Sequence, residues 1–196
     1  IPRNNKREEI GVPDVLPFFG ADIWHHFELS WLNVKGKPVV AIGRISVPAN
    51  SPNLIESKSM KLYFNSFNNT HFASWEQVQA IAKKDLSATA NAPVTVELFE
   101  LNHAPFQITQ PNGICLDGLD IVMDDFLLDP KTLTCNDEVV TETVHSNLLK
   151  SNCLVTSQPD WGTVTIKYTG KQINHEALLK YICSFRNHNE FHEQCV

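Results

Sequence analysis

Cys153 stands in the stretch SNCLVTSQPDWG, residues 151–162, seven residues ahead of the carboxyl of Asp160. A thiolate is a strong nucleophile, and a carboxyl beside it can deliver or remove protons. The stretch falls between two strand-like runs, so the pair belongs to a connection, where a scaffold can present reactive groups. The same residues also fit a buried cysteine beside a turn made by Pro159, Asp160 and Gly162. Cys115, Cys135, Cys183 and Cys195 have no acid in a comparable polar loop and read as packing or incidental residues.

A second group is ESKSMK, residues 56–61, which follows a strand-like run and opens a helix. Backbone N–H groups at such a start, with Lys58 and Lys61, suit an anion such as a phosphate. The bland alternative is a solvated helix start, and without a glycine-rich turn neither a P-loop nor a dinucleotide fingerprint applies. A third group is FRNHNEFHEQC, residues 185–195. Here His192 and Glu193 can hydrogen-bond a planar heterocycle, since a carboxylate accepts from adjacent ring N–H and amino groups. His192 fits a helix surface equally well. A metal site through His188, His192 and Cys195 lacks a standard ligand spacing, so no metal is expected. His25 and His26 read as strand-edge packing, and the sequon Asn68-Asn69-Thr70 as chance.

These residues need elements to hold them. Residues 1–17 are polar and carry three prolines, which predicts an irregular arm. Residues 27–33 and 39–47 are β-rich and separated by KGKP, a turn between antiparallel strands. A helix is expected over 56–65. Ser74 and Gln77 form a capping box, and Trp75, Val78, Ile81 and Ala82 recur at helical spacing, so 74 to about 90 is a second helix. Residues 94–100 alternate as a strand. Residues 102–120 look like loop, with a short strand over 119–126.

The plan then repeats, with strand candidates over 138–149 and 163–168. Asn174 caps a helix whose apolar stripe is Leu178, Tyr181, Ile182 and Phe185. LYFNSF at 62–67 weakly echoes LKYICSF at 179–185. The second copy stops at Val196 without the later strands of the first. A two-stranded unit is marginal alone, so further residues or a partner are expected to complete its sheet.

Composition narrows the function classes. The 196 residues are 42% hydrophobic and 19% charged, ordinary for a globular protein with a real core. A net charge of −6 argues against a large basic face for nucleic acid. No apolar run approaches the about 20 residues of a membrane helix. Five scattered cysteines without a CxxC pair argue against a disulfide scaffold or a zinc ribbon, and without a signal-peptide pattern the cytoplasm is the expected compartment.

Four stretches together resemble one family. PFFGADIWHHFELSWLN (17–33), NLIESKSMKLYFNSFN (53–68), LLKSNCLVTSQPDWG (148–162) and SFRNHNEFHEQCV (184–196) keep the order they have in the bimodular 7-cyano-7-deazaguanine reductases. These are the NADPH-dependent nitrile reductases of queuosine biosynthesis. The likeness covers nearly the whole chain and is weakest over 100–140.

The resemblance implies an α+β fold of two tandem tunnelling-fold modules, each an antiparallel sheet with helices on one face. It divides the chain into an arm (1–17), a first module (18–136) with the ESKS motif and a second (137–196) with the cysteine. It implies that Cys153 adds to the nitrile as a covalent thioimide and that Asp160 donates the proton. Ile55, Glu56 and Ser57 would contact the deazaguanine, with His192 and Glu193 on its other side, and Ser57 and Lys58 would touch NADPH. The resemblance further implies two NADPH per turnover, no metal, and a homodimer that would act on the free base rather than on tRNA. Family members continue past HEQCV into a last helix and two strands with an arginine-glycine stretch at the cofactor, so the second module and the cofactor site are expected to be incomplete here. A cysteine hydrolase using Cys153, Asp160 and His192 fits the same residues, as does a purine- or pterin-binding module without catalysis.

Overall fold

The computed structural model describes residues 1–195 and divides into two compact units, Ile1–Phe106 and Gln107–Val196. Both are α+β, with sheets that are mainly antiparallel.

The first unit is built on strands β1 (Ala21–Leu32), β2 (Pro38–Pro48) and β3 (Thr95–Phe99), all antiparallel and in that order. Gly36, at φ +78°, makes the turn between β1 and β2, as the KGKP signal predicts. Alternation along β2 turns Ala41, Ile45 and Val47 to one face, where they are buried. Helices α2 (Ser57–Asn65) and α3 (Trp75–Ala90) supply Phe64, Val78, Ala82 and Leu86 to the same core. Trp31 and Trp75 meet edge to face there, with ring centroids 5.0 Å apart. Ser74 caps α3 by accepting from the Gln77 N–H at 3.3 Å, as the capping box predicts.

The arm departs from the expectation of irregular chain. It holds helix α1 (Asn4–Glu9), which buries no side chain of its own. The arm is held by the buried Arg3, whose Nε donates to Ser51 Oγ at 3.1 Å and whose guanidinium pairs with Asp22. Neither partner lies close in sequence.

The second unit is dominated by a long hairpin of β5 (Cys135–Asn152) and β6 (Pro159–Ile173), covered by α4 (His175–Ser184). Asn174 caps α4 through the Ala177 N–H at 3.0 Å. Leu178, Leu179, Ile182 and Phe185 pack with Val144 and Leu149, with Val164 and Ile166 partly buried against them. The strand expected over 119–126 does not form. A two-residue strand, β4 (Ile114–Cys115), lies earlier and runs parallel to β5. Gly113 leads into it at φ +96°, with its backbone so close to Thr143 that a Cβ would fall 2.2 Å from the Thr143 carbonyl oxygen. Among the described residues, no helix is long and apolar enough to cross a membrane.

Candidate active site

A bulge decides which residues of the hairpin share a face. Up to Ser146, which pairs with Val164, the even-numbered residues of β5 point toward α4. Leu149 then pairs with Gly162, so two residues of β5 face one of β6, and the odd-numbered residues take over the inner face. Asp117 pins the bulge: its carboxylate accepts from Ser146 Oγ at 2.7 Å and from the Asn147 N–H and side-chain amide. Burial pushes the Asp117 carboxyl up, but these donors outweigh it and leave it below its ordinary value.

Beyond the bulge, Ser151 pairs with Asp160 and Asn152 with Pro159. Residues directly opposite each other point to one face, and i, i+2 neighbours share it. Leu149, Ser151 and Cys153 therefore lie with Asp160 and Gly162 on the inner face. The Cys153 N–H continues the ladder, donating to the Gln158 carbonyl at 2.8 Å, and the Ser157 N–H closes the loop onto the Cys153 carbonyl at 2.9 Å. Ser157 stands at φ +55°. Cys153 is 3% exposed and Asp160 is half-buried. The cysteine is thus on the expected connection, while Asp160 is a strand residue rather than part of a turn.

A short segment after α4 stitches itself to the outer edge of β5. The Asn152 N–H donates to the His188 carbonyl at 2.9 Å, and the Glu190 N–H to the Asn152 carbonyl at 3.1 Å. Both polar groups of Asn152 are therefore turned away from β6, and Pro159 opposite it removes no ladder bond. Lys150 Nζ reinforces the seam by donating to the Arg186 carbonyl at 2.8 Å. This seam delivers α5 (His192–Cys195) to the hairpin. The His192 ring lies over Gly162: a Cβ there would meet His192 Cε1 at 3.5 Å and Leu149 Cδ2 at 3.3 Å. His192 Nδ1 is buried and has no hydrogen-bond partner among the described residues. The structure thus brings Cys153, Asp160 and His192 to one hairpin, with Glu193 on the same short helix as His192.

In the first unit, Ile55 is buried and Glu56 is the N-cap of α2. The Glu56 carboxylate accepts from the Lys58 and Ser59 N–H groups, each at 2.8 Å, and from Ser59 Oγ at 2.8 Å. Burial raises the Glu56 carboxyl, yet these donors hold it below the ordinary glutamate value. The N–H groups proposed for an external anion are thus already used by Glu56. Lys61 pairs with Glu28 at 2.9 Å, and the exposed Lys58 ammonium lies 3.8 Å from Glu56.

Among the described residues, no three His, Cys, Asp or Glu side chains gather as a metal site, so His188, His192 and Cys195 do not form one. Among the described residues the cysteines form no disulfide with one another. Cys115 and Cys135 are exposed, and burial, aided by the charge of Asp117, pushes the Cys183 thiol up, which makes it a poorer nucleophile. One inner-face residue escaped sequence reasoning. Ser151 lies opposite Asp160 and two residues before Cys153 on the same face, and only the strand register, unavailable in the sequence, could have singled it out.

A thiol and a carboxyl thus share one sheet face, with the His192 imidazole packed over it from α5. The comparisons define the class: residues 1–98 match the family "Nitrile reductase, 7-cyano-7-deazaguanine-reductase N-term", and residues 159–196 match the "QueF-like protein" family. The chain is 58% identical over 199 residues to the NADPH-dependent 7-cyano-7-deazaguanine reductase of Dechloromonas aromatica (strain RCB), an alignment spanning 100% of this chain and 70% of that protein. Proteins of the same name from Azoarcus sp. (strain BH72) and Hydrogenovibrio crunogenus (strain DSM 25203 / XCL-2) are each 53% identical over 198 residues, covering 100% of this chain and 70% and 72% of theirs. The chain belongs to the 7-cyano-7-deazaguanine reductase family.

Proposed function

We propose that this protein reduces the nitrile of 7-cyano-7-deazaguanine to the aminomethyl group at the expense of NADPH, in queuosine biosynthesis. The observation that carries the reading is similarity along the whole of this chain, and 70% of each of these relatives, to proteins named for this reaction. A nitrile is a poor hydride acceptor, and covalent addition makes it reducible. In the proposed mechanism the Cys153 thiolate forms a bond to the nitrile carbon, and one electron pair of the C≡N bond moves to nitrogen. Asp160 gives that nitrogen its proton, leaving a neutral thioimide on Cys153. NADPH supplies two hydrides per turnover, which carry the thioimide carbon through an imine to the amine, the second proton on nitrogen coming from water. Cys153 departs as thiolate between the two reductions and is regenerated. The shared face of Cys153 and Asp160 supports these roles.

We assign Ile55, Glu56 and Ser57, with His192 and Glu193, to binding the deazaguanine. Glu56 and Glu193 suit its ring N–H and amino donors. Ser57 and Lys58 are assigned to NADPH. The residues fit its phosphates through the exposed Lys58 ammonium rather than through the α2 backbone, which Glu56 already caps. The proposal further reads residues 18–136 and 137–196 as tandem tunnelling-fold modules, the protein as a homodimer, and its compartment as the cytoplasm, where cysteines that form no disulfide with one another are at home. Net charge −6 agrees with work on the free base rather than on nucleic acid.

Intact mass after mixing with 7-cyano-7-deazaguanine, without NADPH, tests the mechanism. The expected result is a gain of one substrate mass that is absent in Cys153→Ala. An unmodified mass from folded, ligand-bound protein would overturn it, and release of ammonia without NADPH would favour a hydrolase.

A further inference from the structure

Four serines are buried in the described residues, and three of them are paired. Ser51 Oγ donates to the Asn53 carbonyl at 2.8 Å, Ser146 Oγ to Asp117 at 2.7 Å and Ser184 Oγ to the Tyr181 carbonyl at 2.6 Å. Ser151 is different. It is 1% exposed, and its Oγ has no hydrogen-bond partner among the described residues. A buried hydroxyl without a partner loses its water bonds and gains nothing in exchange, so it calls for an explanation outside the fold.

The place of Ser151 supplies one. It is directly opposite Asp160 in the register, and it shares the inner face with Cys153 two residues on. Along a strand that separation is about 7 Å, too far for a direct bond from backbone position to backbone position. A small group held between the thiol and the carboxyl would lie within reach of the hydroxyl. We propose that Ser151 donates a hydrogen bond to the nitrile nitrogen of the substrate while Cys153 adds to the nitrile carbon. The inference rests on the function proposed above and adds a residue to it. As the S–C bond forms, the electron pair arriving on nitrogen is met by the Ser151 O–H. Asp160 then transfers its proton to that nitrogen, and Ser151 keeps its own. The serine thus acts as a fixed donor where charge develops, like one member of an oxyanion hole.

The test is Ser151→Ala in the full chain, with 7-cyano-7-deazaguanine as probe and intact mass followed over time. Adduct formation is expected to slow by about 100-fold, the effect of removing one such donor. Non-covalent affinity, compared between Cys153→Ala and the Cys153→Ala/Ser151→Ala pair, is expected to stay within about threefold, because the bond strengthens only as charge builds. The melting temperature is expected to hold or to rise by about 2–4 °C, since an unpaired hydroxyl is removed from a buried site. A hydroxyl with a structural role would show the reverse, a lower melting temperature with adduct formation unchanged. Adduct formation at the wild-type rate in Ser151→Ala overturns this inference alone, whereas no adduct in the wild-type protein overturns the mechanism beneath it. If Ser151→Ala does not fold, Ser151→Cys, close in shape and a weak donor, is expected to slow the adduct as well, and an unchanged rate there overturns the inference equally.

Discussion

In the first unit the Glu56 carboxylate takes two backbone N–H groups and a serine hydroxyl, all at 2.8 Å, and is satisfied by its own helix. In the second unit Ser151 Oγ, His145 Nδ1 and His192 Nδ1 are buried without partners among the described residues, against Trp24 Nε1 alone in the first. A satisfied group stabilises the fold and must give something up to bind a ligand. An unsatisfied one costs the fold free energy and gains when a ligand arrives. The ESKS segment is therefore a finished piece of structure that binding would have to rearrange, and the cysteine hairpin is an unfinished one that the proposed substrate would complete. The difference teaches where ligand-linked stabilisation should appear: in the hairpin more than at the start of α2.

The largest expected effect probes the hairpin. Asp160→Ala should lower turnover by about 10²- to 10⁴-fold, the usual contribution of a positioned acid. Adduct formation, read by intact mass, should fall less. Equal losses would remove Asp160 from its place as proton donor. Next, Phe64→Ala, deep in the first core, should cost about 3–5 kcal/mol in denaturant unfolding. The ligand-induced rise in melting temperature contributed by the hairpin should survive it wherever the variant stays folded.

The smallest effect sharpens the first-unit side. Glu56→Gln removes a charged helix cap and should cost about 1 kcal/mol at neutral pH. Because the folded Glu56 carboxyl lies below its ordinary value, its contribution is complete above about pH 4.3, the unfolded value, and is lost as pH falls through the folded one. Melting curves of wild type and Glu56→Gln should therefore converge in acid. A constant gap down to pH 3 would mean that the cap does not depend on charge.

Much of the scaffold was legible from local pattern. Ser74 and Asn174 announced their helices because a cap bonds only a few residues away. The β-rich runs over 39–47 and 163–168 announced β2 and β6 for the same reason. What escaped depends on distant partners. Helix α1 is moored through Arg3 to Ser51 and Asp22, and the bulge at Ser146–Leu149 is pinned by Asp117, some thirty residues upstream. Without the bulge Asn152, not Cys153, would share a face with Asp160. The motif put thiol and carboxyl in one stretch of chain, but that they share a face, with Ser151 beside both, depends on the register. The start of α2 reads in the sequence as a place for an external anion, and in the fold the protein's own Glu56 carboxylate caps it.

The loop after Cys153 has a consequence for what evolution can write there. Ser157 stands at φ +55°, a region that Gly, Asn and Asp tolerate and β-branched side chains resist. Its N–H also closes the loop onto the Cys153 carbonyl, so the position sits in series with the thiol. A saturation library at this one codon would behave as a sieve. Gly, Asn and Asp clones should pass, while Val, Ile and Thr clones should be lost together even though none of these side chains touches a substrate.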